Sequence, residues 1–119
     1  MKIKTEELRG DLLDLAVALA VGEIRPRINL GGGCVVSNGH TLHRFYPSSE
    51  WQHGGPLIEA HSPVITICQA RIRTEISTLE NDVSNTGIGY GLTYLESFCR
   101  ALVSLKLGDE VDIPDELTA

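Results

Sequence analysis

Three observations predict an α+β fold: an apolar helical run near the start, an amphipathic helical run near the end, and a stretch rich in β-branched residues and turn signals between them. Strands grouped between two helices imply a mostly antiparallel sheet of about four or five strands, with two main helices packed on one of its faces. At 119 residues the chain has the size of a single domain spanning 1–119, large enough for one core but not two. A hydrophobic share of 42% and a charged share of 22% are ordinary globular values, which excludes wholesale disorder and fibrous classes.

Each element follows from a local pattern. "KIKT" at residues 2–5 alternates weakly and suits a short edge strand with lysines facing solvent. From Asp11 to Val21, Leu12, Leu13, Leu15, Ala16, Val17, Leu19 and Ala20 cover most of a helical cylinder, so the spacing predicts a well-buried helix ended by Gly22. "EIRPRINL" and "CVVSNGHTLHRF" read as strands, with Ser37-Asn38-Gly39-His40 forming a tight turn between arms Cys34–Val36 and Leu42–Phe45. The glycine triplet at 31–33 reads as a bend, since no GxxxxGK[ST] pattern accompanies it.

"SPVITICQARIRTEI" at 62–76 alternates and is rich in β-branched residues, the pattern of a central strand. Residues 77–91 carry turn formers throughout and are expected to form a mobile connection. Leu92 to Leu107 places Leu95, Phe98, Cys99, Leu102, Val103 and Leu105 on one stripe, pairs Glu96 with Arg100 at i, i+4, and ends at Gly108, so it reads as the second helix. "DEVDIPDEL" then gives a short extended segment and an acidic tail.

Charge and cysteine usage narrow the function classes. A net charge of −6 with no basic run argues against duplex nucleic acid as a partner. Arg25 and Arg27, and Arg71 and Arg73, form i, i+2 pairs that would share strand faces, read here as solvated rather than as an anion site. The longest apolar run, Leu15–Val21, falls well short of the roughly 20 residues needed to cross a bilayer. Acids within "MKIKTEELRGDLLDL" interrupt any signal-peptide pattern, so a cytoplasmic location is expected. Cys34, Cys68 and Cys99 lack CxxC spacing and sit among apolar neighbours, which predicts reduced core thiols.

One segment stands apart. "SSEWQHGGPLIE" at 48–59 holds the only tryptophan, a histidine, a Gly-Gly pair and a proline. Pro56 suits a first helical position, predicting one helical turn over 56–60 with Gly54 and Gly55 leading into it. Backbone N–H groups converging there would form a nest for phosphate or carboxylate. Trp51 and His53, with Tyr46 nearby, would add a stacking surface and a polar contact, and Glu59 would cap or orient the loop. The expected ligand-binding set is therefore Trp51, His53, Gly54, Gly55 and Glu59.

Competing readings give the same segment other tasks. A small hydrolase or transferase would use His53 with Glu50 or Glu59 as acid and base. A structural module would pack the loop against a second copy, with Trp51 as the anchor. His40, His43, His53 and His61 lack HExxH spacing, and no GxSxG or kinase signature is present, so no metal, cofactor or catalytic constellation is expected.

The start "MKIKTEELRGDLLDLAVALAVG", the middle "SSEWQHGGPLIE" and the end "ALVSLKLGDEVDIPDEL" resemble the NinX-like proteins of tailed bacteriophages and prophages, a family of unassigned function. Two stretches in order, "W-x-x-GGP-x-IE" and "KLGDEVDIP", carry the likeness, which covers about half the chain. It departs at Leu15, where the family stretch has a tryptophan before "AVA", and over Cys68–Gly89. The resemblance implies phage or prophage origin, expression in a bacterial cytoplasm and no catalytic residues. Together with the lack of a catalytic pattern it leads to the expectation of a non-enzymatic, self-associating accessory protein that binds a small anionic ligand or a host protein.

Overall fold

The computed structural model describes residues 1–118, which form three α-helices and eight strands in antiparallel sheets. Helix α1 (Gly10–Val21) forms where expected, and Gly22 ends it in the left-handed region at φ 77°, its N–H donating to Ala18 O. Because α1 is apolar nearly all round, both of its sides can be covered. Leu13, Leu15, Ala16, Val17 and Ala18 are fully buried.

On one side α1 meets a small sheet of β2 (Ile24–Ile28), β3 (Cys34–Ser37) and β4 (Leu42–Arg44), in that order. The β3–β4 turn forms at the Asn-Gly signal, where Asn38 Oδ1 accepts the N–H groups of His40 and Thr41, each at 2.9 Å. On its other side α1 packs on α3 (Tyr94–Leu107). The cap of α3 is Thr93, whose Oγ1 accepts from Glu96 N at 3.0 Å, and the expected Glu96–Arg100 pair closes at 3.0 Å.

Beneath α3 lies a second sheet of β5 (Val64–Cys68), β6 (Arg71–Glu80) and β7 (Val83–Gly91). The two helices thus sit between two three-stranded sheets, rather than together on one face of a single sheet. Two expectations are corrected in this region. The stretch 62–76 is not one central strand, because the chain reverses at Gln69-Ala70 with Gln69 at φ 56°. Residues 77–91 are not a loose connection, because Asn81 and Asp82, at φ 51° and 63°, make a tight two-residue turn that pairs β6 with β7 along their whole length.

The glycines of β7 have a packing role. Gly87, Gly89 and Gly91 alternate onto the face that meets α3, and a Cβ at Gly89 would collide with the backbone of Ala101 and Ser97. Their absence of side chains lets the α3 backbone lie directly on the strand. Finally, β1 (Lys2–Lys4) pairs with β8 (Glu110–Asp112), bringing the two ends together.

Candidate functional site

The segment singled out by its composition folds as a full helix, α2 (Trp51–His61). Gly54, Gly55 and Pro56 lie inside it, which corrects the expectation of a single turn at 56–60 preceded by a glycine nest. Gly54 N–H donates to Glu50 O at 2.9 Å and His53 N–H to the same oxygen at 3.0 Å, so these amides are consumed by the helix. Gly54 is needed for approach: a Cβ there would stand 2.5 Å from Pro47 O and 2.7 Å from Leu95 Cδ2. Pro56 keeps its ring toward solvent, where only one internal helical bond is lost.

The five residues expected to bind a ligand divide between two sides of α2. Successive side chains turn by about 100° around a helix, so His53 and Trp51 point about 160° apart. Trp51 and Glu59 are exposed on the outer side, and Trp51 stacks against Gly55 on the next turn. Gly54 is buried and His53 half-buried on the inner side. His53 Nδ1 accepts the Tyr46 N–H at 2.9 Å, which places the proton of the neutral ring on Nε2. The ring is held by Phe45, with centroids 6.1 Å apart, and by the edge of Tyr46 at 6.4 Å.

Among the described residues no hydrogen bond joins the His53 ring to the carboxylate of Glu50 or Glu59. Glu50 instead takes Gln52 Nε2 at 2.8 Å and Arg44 at 3.4 Å, while Arg44 also lies over the Tyr46 ring at 5.3 Å. Trp51, 58% exposed, therefore rises from a first turn whose neighbours are all engaged.

Below α2 is a polar arrangement that sequence reasoning missed. Asp14 Oδ1 accepts Ser48 N–H at 2.9 Å and Asp11 Oδ2 accepts Gly33 N–H at 2.9 Å, so two acids of α1 tie down the segment entering α2 and the glycine bend before β3. Asp14 is only 3% exposed. Burial pushes its carboxyl up to about 6, against the Ser48 hydrogen bond that lowers it, and the negative charges of Asp11 and Glu50 raise it further. Burial, and then the nearby acids, push the Cys34 thiol up to about 12. The available signal was a lone acid at position 14 inside an otherwise apolar run.

Elsewhere, Arg71 stacks on Tyr90 at 4.1 Å and Arg73 pairs with Glu75 at 2.9 Å. Arg71 also lines an open cleft of about 1130 Å3 beside β7, together with Arg9 and Arg100. Four basic and five acidic side chains surround that cleft, a balance that gives an anion no net attraction. Among the described residues no group of three His, Cys, Asp or Glu side chains is placed to hold a metal ion, and no helix is long and apolar enough to cross a membrane. Comparison with known proteins finds no matching family model and no matching curated sequence.

Proposed function

We propose that this chain is an accessory protein of the NinX-like phage or prophage kind that works in the bacterial cytoplasm by binding a host protein, with Trp51 as the central contact. One observation carries the reading: an indole more than half exposed, 58%, on a helix whose inner side is fixed. Gly54 seats that helix on Pro47 and Leu95, and His53 bonds the Tyr46 backbone. A rigidly presented tryptophan adds large contact area at small entropic cost, which is why such residues dominate the energetics of protein interfaces. Its chain neighbours Glu50 and Gln52 form a polar cluster with Arg44, which would supply part of a polar rim.

The consumed glycine amides and the divided orientation of His53 and Trp51 favour a protein surface over a small anion. The test is a comparison of the parent chain with Trp51→Ala, each tagged and recovered from the bacterial host. A host protein that copurifies with the parent and is lost from a variant of unchanged circular dichroism supports the reading. Equal recovery by both chains overturns it.

A further inference from the structure

The second sheet has two free edges, and they are finished differently. At the β7 edge, Arg100 donates to Tyr90 O at 2.7 Å and Leu92 N–H donates to Glu96 Oε1 at 3.2 Å, so the ion pair of α3 occupies the end of that edge. Among the described residues the β5 edge has no such cover. Its residues Val64–Cys68, "VITIC", include no charge, although the chain as a whole carries −6. Val64 on one face is 62% exposed and Ile67 on the other is 67% exposed. Natural edge strands are usually blunted by charges, bulges or covering elements.

The direction of the free groups follows from the register. The turn at Gln69-Ala70 makes Cys68 and Arg71 its closing pair, and Thr66 opposes Arg73 and Val64 opposes Glu75. Residues 64, 66 and 68 therefore aim their main-chain groups at β6, and Ile65 and Ile67 aim theirs outward. Neither Ile65 nor Ile67 has a main-chain partner beyond this sheet among the described residues.

We propose that β5 pairs antiparallel with β5 of a second copy of this chain about a two-fold axis at Thr66, making one continuous six-stranded sheet. In this register Ile65 opposes Ile67 of the partner, Thr66 opposes its own mate and Val64 opposes Cys68. Both outward residues of each strand are then used, in about four interchain N–H···O bonds. Sliding the pairing one step either way loses a pair, because Pro63 has no N–H to give and Gln69, at φ 56°, has left the extended region. The match of the strand to itself is what selects a second copy as the occupant. The absence of charge in β5 means that no like-charged pair is placed across the seam, although each copy carries −6 overall. In each copy α3 is seated on β6 and β7, away from the β5 seam.

The test uses sedimentation equilibrium and cysteine crosslinking. The parent chain is expected at twice its own mass, dissociating on dilution. Ile67→Pro removes an outward N–H that the chain's own sheet does not use, so it is expected at single mass with unchanged circular dichroism. In a Cys68→Ser background, Thr66→Cys is expected to form an interchain disulfide on mild oxidation, since directly opposed residues of this kind lie about 4.5 Å apart at Cα. Ile67→Cys in the same background faces Ile65 and is expected to crosslink far more slowly. A parent of single mass at every concentration overturns the proposal and leaves the edge to a strand of another protein. So does a dimer that survives Ile67→Pro, or crosslinking no faster at 66 than at 67. If Ile67→Pro fails to fold, the crosslinking pair alone decides.

Discussion

Replacing Asp14 by Asn removes a charge from the interior while leaving an oxygen to accept the Ser48 N–H. In the unfolded chain the carboxyl titrates near 3.8, and in the fold near 6. The native state therefore holds this proton more tightly than the unfolded state. Below 3.8 both forms are protonated and the group is neutral in effect; as pH rises toward 6 the unfolded state ionises first, and stability falls across that window. Above it both are ionised and the loss is constant. Each tenfold difference in proton affinity is worth about 1.4 kcal/mol, so the loss amounts to about 3 kcal/mol as an upper figure.

Urea midpoints of parent and Asp14→Asn, measured from below 3.8 to above 6, check this. The difference between the two chains is expected to change through that window in favour of the variant and to level off above it. Absolute stability is the weaker criterion, because the new amide brings two N–H donors that need partners. Two parallel curves, or a parent that gains stability relative to the variant as pH rises, would refute the reasoning about burial.

Two further outcomes follow from packing. Gly89→Ala places a methyl group against the α3 backbone at Ala101 and Ser97, and overpacking of this kind is expected to cost about 1–3 kcal/mol, read as a lowered urea midpoint. With a thiol reagent, native protein is expected to label rapidly at Cys68 alone, since Cys34 and Cys99 are fully buried and burial raises both thiols, Cys34 to about 12. Rapid labelling at all three without denaturant would contradict the packing around α1 and α3.

The two long helices and the β3–β4 turn were legible because their signals are local: apolar spacing, Gly22 and Gly108 as ends, Asn38-Gly39 as a turn. What sequence reading missed depends on tertiary contact. Gly54 and Gly55 read as a loop, yet a helix forms because Gly54 fits between Pro47 and Leu95, where a larger residue collides. Gly87, Gly89 and Gly91 read as turn formers, yet their alternation is the strand period and matches the helix lying on them. The reversal at Gln69-Ala70 uses neither glycine nor proline, so two strands looked like one. Of the candidate site, the composition of 48–59 is visible in the sequence, but the directions of Trp51 and His53 depend on the helix that carries them.

The pairing of β1 with β8 joins residues far apart in the chain, and such contacts are slow to form. Residues Lys2–Lys4 have their strand partners at Glu110–Asp112, on the order of a hundred residues later, so their loop is among the costliest in the molecule to close. Until then Leu8, fully buried in the finished fold, lacks the Arg100 guanidinium that donates to its carbonyl at 3.0 Å. One side of α1 can be covered early by β2 and β3, which follow it directly, whereas its other side stays uncovered until α3 docks, a distant partner in the chain.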